Sequence, residues 1–239
     1  MSFIHLVEDG SYYELTKTGY IALTVLLIAA IAIAAIIVSL KQNKENKVQL
    51  NARILAFVGI SIALAFVTSY IKFELPMGGS VTLFSMFFIC YIGYLYGIKV
   101  GFITAFAYSL LAFMQTGATY FLTPFQVCCD YFFAFTALGI AAFWQKKKNG
   151  LLWGYIVACI VRGLFHTIGG YMYWMDYMPE WFPKALTAVY SPIYNYSYIL
   201  AEMIITIIVI SLPPVKKALA YIENTYGPEN NAAAKEQQA

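Results

Sequence analysis

Asp130 is a carboxylate in an otherwise apolar stretch, "TPFQVCCDYFFAF", where an ionised group is costly and marks either a site or a paired charge. Gln126 stands four residues earlier, on the same face of a helix. In "RGLFHTIGGYMYW", His166, Gly170 and Trp174 follow at steps of four, one helical stripe, with Arg162 a turn before them. Gly170 on that stripe leaves room for a group to approach the backbone. Tyr190 and Asn195 lie in "AVYSPIYNYSY", and Tyr120 precedes the stretch that carries Asp130. One carboxylate ringed by aromatic side chains suits an organic cation, which can meet the charge and lie over the ring faces. Plainer readings stand beside this one. Asp130 can reach the interface or pair with Arg162, His166 can be a packing residue, and the tyrosines can belong to an interfacial belt. Asp130 and His166 could also work as acid and base. Asp130 is read as the single buried carboxylate, however, and no second carboxylate, nucleophile motif or HExxH metal cluster supports catalysis, so no catalytic residue, metal or cofactor is assigned.

The elements that must hold these residues are set by the composition. Of 239 residues, 61% are hydrophobic and 11% charged, with a mean hydropathy of +0.69. A soluble domain needs about twice that charged fraction, so the solvent is the lipid bilayer. A formal charge of +3 is too small to imply a nucleic-acid partner. Cys90, Cys128, Cys129 and Cys159 all fall in apolar segments without a CxxC pair and read as small buried hydrophobes. Seven apolar runs are placed at Gly19–Leu40, Ile54–Ile71, Val81–Tyr96, Val100–Thr116, Phe125–Trp144, Leu151–Trp174 and Tyr194–Leu212. The first is too long for a cleavable signal and follows an acidic segment, so it is an additional anchor. There is no GxxxxGK[ST] phosphate loop, so the chain cannot power itself with ATP by the usual machinery.

Cations set the orientation. Lys41, Lys44, Lys47 and Arg53, then Lys99, then Lys146, Lys147 and Lys148, then Lys216 and Lys217 occupy alternate loops and the C-terminal end. The expectation is an extracellular N-terminus, a cytoplasmic C-terminus, and the Asp130 group near the outer face. Residues 1–50 are then the N-terminus, extra helix and linker. Residues 51–213 are the membrane domain, to which the resemblance described below gives the substrate-binding role. Residues 214–239 are a cytoplasmic tail, disordered from about Gly227 onward. On the second run, Gly59 and Ala63, with Ala56 nearby, form a small-residue face that lets another helix approach.

Four segments, "ISIALAFVTSYI", "ATYFLTPFQVCCDYFFAFTALGIAAF", "RGLFHTIGGYMYW" and "AVYSPIYN", resemble the thiamine-specific substrate-binding (S) component of energy-coupling factor transporters, from about Asn51 to Pro213. The resemblance implies an all-α, six-helix membrane bundle, here preceded by one additional transmembrane helix, in the plasma membrane of a bacterium. It implies thiamine binding at the extracellular side and docking on a transmembrane coupling subunit driven by two ATPase subunits. It places the binding residues at Tyr120, Asp130, Tyr131, His166, Gly170, Trp174, Tyr190 and Asn195, and the coupling-subunit contact at Gly59 and Ala63. In it, the acidic residue and His166 meet the cationic part of the ligand, and Trp174 stacks on a ring. This chain departs from the pattern in three ways: Asp130 replaces the usual glutamate, "LPMGGS" lacks a covering tryptophan, and the first helix is extra. A thiamine relative or precursor, or another small cationic or heterocyclic metabolite, is the neighbouring reading.

Overall fold

The computed structural model of the chain describes residues 4–6, 13–16, 18–19, 51–116 and 122–227. The run Gly19–Leu40, the linker to residue 50, Tyr120 and residues 228–239 therefore lie outside the described residues, Gly19 excepted. Near the N-terminus, β1 (Ile4–Leu6) pairs antiparallel with β2 (Tyr13–Leu15), with His5 opposite Glu14.

The bundle begins with α1 (Ala52–Thr68), started by Asn51, whose side chain accepts the Ile54 amide at 2.9 Å. A short hairpin follows, β3 (Lys72–Glu74) and β4 (Ser80–Thr82), and then α2 (Ser85–Tyr96). Gly97, at φ 85°, reverses the chain into α3 (Ile98–Gln115). After the Thr123 cap and Pro124 comes α4 (Pro124–Trp144), then α5 (Gly150–Tyr173), α6 (Thr187–Ser211) and α7 (Pro213–Tyr226). Helices α3, α4 and α5 are each long and apolar enough to cross a bilayer, as is α6 with the 3₁₀ turn that leads into it at Lys184. Leu55, Ile60, Ile103, Phe106, Ile204 and Ile208 point outward and are about half exposed or more, as suits helices that cross a membrane.

Two expectations are corrected. The run Val81–Tyr96 is not one span, because residues 80–82 are strand and α2 has 12 residues, about 18 Å of helix at 1.5 Å per residue. That is well short of a bilayer core. α2 instead sits inside the bundle, buried on every side from Ser85 to Tyr96 except at Phe88. The last span begins at Thr187 rather than Tyr194, so Tyr190 and Asn195 lie within its first turns, and Pro192 is accommodated inside it. Close approach is bought by small residues: a Cβ on Gly101 would lie 2.6 Å from the Cα of Gly93, so α2 and α3 meet backbone to backbone.

Residues 213–226 form a helix that hydropathy alone left in the tail. Leu219 and Ile222 face the core. Three tyrosines of α2 tie α7 down: Tyr91 donates to the Leu219 carbonyl at 3.2 Å, Tyr94 to Glu223 Oε1 at 2.9 Å, and Tyr96 to the Tyr226 carbonyl at 3.2 Å.

Candidate ligand pocket

A cavity of about 690 Å³ opens at the end of the bundle where α3 ends and α4 begins. Asp130, Tyr131, His166, Gly170, Trp174, Tyr190 and Asn195 all line it, drawn from α4, the end of α5 and the start of α6. Tyr120, the remaining sequence candidate, lies outside the described residues.

Asp130 sits in a widened π-helical turn, Cys128–Phe133, the kind of irregularity that re-aims a side chain inside a helix. Its Oδ2 accepts from Gln126 Nε2 at 2.6 Å and from the indole Nε1 of Trp174 at 3.1 Å. His166 Nδ1 stands 3.9 Å from Oδ1. Arg162 does not pair with Asp130. Its Nε donates to His166 Nε2 at 3.4 Å, and its guanidinium lies 4.3 Å over the Phe135 ring. Gly169 makes room for the carboxylate, since a Cβ there would be 2.6 Å from Asp130 Oδ1.

Gly170 lines the cavity and also packs against α6. A Cβ on it would lie 2.2 Å from Ser191 Oγ and 2.8 Å from Asn195 Nδ2, so the group that approaches its backbone is α6 itself. Ser191 seals this seam by donating to the Thr167 carbonyl at 2.8 Å, and Tyr196 does so lower down, donating to the Ile160 carbonyl at 2.7 Å.

The far wall is a tyrosine ladder on α6. Tyr190 and Tyr194 stack with centroids 6.1 Å apart, and Tyr198 meets His166 edge-on at 6.0 Å. Tyr198 donates to Asn195 Oδ1 at 2.8 Å. Tyr194 holds the β3–β4 hairpin over the cavity: it donates to the Pro76 carbonyl and accepts the Gly79 amide at 2.9 Å. The "LPMGGS" turn thus carries no tryptophan but is strapped to α6 by a tyrosine hydroxyl.

Sequence reasoning missed Tyr194, Tyr198 and Ser191, whose helical spacing with Tyr190 and Asn195 was the available signal. It also missed Glu202. The reading of a single buried carboxylate is corrected: Glu202, only 3% exposed, lies in the apolar run of α6, and an acid in mid-span was the signal. Among the described residues no cluster of His, Cys, Asp and Glu could hold a metal, and the four cysteines are free.

The fold and the cavity define a class: an all-α, multi-pass membrane protein built around a solute-sized, polar and aromatic pocket. The chain belongs to the thiamine transporter protein family, whose model matches residues 55–222. Its fold is similar to the solved structure of ThiT from Listeria monocytogenes, with a TM-score of 0.56 at 20% identity, over 72% of this chain and 94% of that one. No curated protein matches the chain. The likeness read from the sequence is thereby met at the level of the family, and the all-α membrane fold with it.

Proposed function

We propose that this chain is the substrate-binding subunit of an energy-coupling factor importer, which takes thiamine at the extracellular face and delivers it for uptake driven by partner subunits. The observation that carries the reading is the Asp130–Trp174 pair, a carboxylate hydrogen-bonded to an indole on the wall of a cavity of about 690 Å³. Thiamine carries a fixed cationic ring. A carboxylate meets its charge and an aromatic face receives it, in a site where an unpaired charge is costly.

Tyr131, His166, Gly170, Tyr190 and Asn195 complete the proposed binding set through their place on the cavity wall. The orientation rests on the cationic loops: the end opposite the cavity carries Lys99, Lys146, Lys147 and Lys148. Docking on the coupling subunit is assigned to α1, where Ala56, Gly59 and Ala63 are exposed on a helix inside an apolar belt and a Cβ on Gly59 would touch nothing within 4 Å. The chain itself is proposed to catalyse no reaction.

The test is a titration of purified protein with thiamine, followed by intrinsic tryptophan fluorescence. Saturable quenching that disappears in Trp174→Phe supports the reading. No saturable response, with the protein folded, refutes it.

A further inference from the structure

Asn195 lies on the cavity wall at 8% exposure, and its side-chain amide carries two donor protons and one acceptor oxygen. Its Nδ2 donates to the Ser191 carbonyl at 2.9 Å and to Ser191 Oγ at 3.4 Å, and that hydroxyl in turn donates to the Thr167 carbonyl. A carbonyl can only accept, so the amide nitrogen faces Ser191 and the oxygen faces Tyr198. The Tyr198 hydroxyl, 2.8 Å from Oδ1, therefore donates. The nitrogen is also wedged into the seam between α5 and α6, where a Cβ on Gly170 would lie 2.8 Å from it. Both N–H protons of Asn195 are engaged within the protein. What the amide has left for a ligand is a lone pair on Oδ1.

Asp130 is left in a similar state. Its Oδ2 already takes two donors, Gln126 and Trp174, while Oδ1 stands 3.9 Å from His166 Nδ1, beyond hydrogen-bond reach. The groups left open at Asp130 and Asn195 are thus both acceptors. They complement a ligand with a positive charge and an N–H donor, and a ligand carbonyl facing Asn195 Oδ1 would meet a second acceptor.

We propose that Tyr198 locks the Asn195 amide as an acceptor, and that this lock makes the pocket select a ring amine over a ring carbonyl. This deepens the thiamine reading and rests on it, because thiamine carries an amino group on its uncharged pyrimidine ring. Tyr198 is a positioning residue that acts through Asn195. Its ring has separate packing: it meets His166 edge-on at 6.0 Å, and a Cβ on Gly79 would lie 2.8 Å from its ring carbons. Phenylalanine keeps that packing and removes the hydroxyl alone. If the hydroxyl merely satisfied a buried polar pair, its loss would weaken every ligand alike.

The experiment titrates purified parent and Tyr198→Phe with thiamine and with the analogue that carries an oxo group in place of the pyrimidine amine. The parent should prefer thiamine by about tenfold or more, since a site built to accept a hydrogen bond rejects a ligand that lacks the donor there. In Tyr198→Phe, thiamine affinity should fall about two- to tenfold, the range for one hydrogen bond. Affinity for the oxo analogue should hold or rise, because the released amide can turn its N–H toward the carbonyl. Asn195→Ala should lose the preference, and adding Tyr198→Phe to it should change the ratio of the two affinities no further. Equal losses for both ligands in Tyr198→Phe, or a further change of the ratio in the double variant, overturn the proposal. If Tyr198→Phe does not fold, Asn195→Ala decides, because a preference for the amine that survives there also overturns it. A parent protein that binds neither compound sinks the thiamine reading and this proposal together. A parent that binds both equally, or a preference unmoved in Tyr198→Phe, sinks this proposal alone.

Discussion

The indole N–H of Trp174, at the end of α5, donates to Oδ2 of Asp130, near the start of α4, across 3.1 Å. The aromatic face and the counter-charge are thus held as one unit, and Gln126 fixes the same oxygen from a turn below at 2.6 Å. Neither group has to be ordered by the ligand, which lowers the entropic cost of binding.

Asp130→Asn keeps the shape but removes the charge. A charged hydrogen bond or ion pair contributes about 1.5–3 kcal/mol, so thiamine affinity should fall by about one to two orders of magnitude in a fluorescence titration. Asp130→Glu should keep cation binding, since the charge remains. An asparagine variant that binds thiamine as tightly as the parent would show that Asp130 is not the counter-ion.

Gly170→Ala should destabilise the bundle by about 1–3 kcal/mol, the usual cost of overpacking, because the added carbon would lie 2.2 Å from Ser191 Oγ. Gly59→Ala is the control. Nothing lies within 4 Å of its Cβ, and alanine in a helix is favoured by about 0.5–1 kcal/mol over glycine. Thermal unfolding in detergent should therefore lower the midpoint for the first variant and not for the second.

Ala63→Trp should leave thiamine binding by the purified protein unchanged and abolish uptake in cells that carry the partner subunits. Ala63 is exposed on α1 and is not among the residues that line the cavity. Unimpaired uptake would remove α1 from the docking surface, and lost binding would place it in the pocket.

Sidedness is read by thiol labelling of intact cells. A cysteine introduced at Glu180, in the exposed loop after α5, should react with an impermeant reagent, and one at Lys147 should not. The native Cys90, Cys129 and Cys159 are buried, so the background is low once Cys128 is replaced. Reversed labelling would put the pocket on the cytoplasmic side.

The sequence alone determined the solvent, the approximate position of four spans and two helical stripes, Gln126 with Asp130 and His166 with Gly170 and Trp174. These depend on local quantities: average hydropathy over a window, and the rise and turn of a helix. The same averaging hid Glu202 among isoleucines and merged the strand at residues 80–82 with the short α2. It also passed over α7, whose alternating polar and apolar residues only make sense against the tyrosines of α2. The tertiary structure decided everything that joins distant segments. It set Trp174 on Asp130, filled the space at Gly170 with Ser191 and Asn195, pinned the β3–β4 turn to Tyr194, and placed the Glu202 carboxylate at the start of α2. Those contacts follow from which helix faces pack together. Helix period and residue type limit the candidates, but only close packing of the whole bundle selects among them.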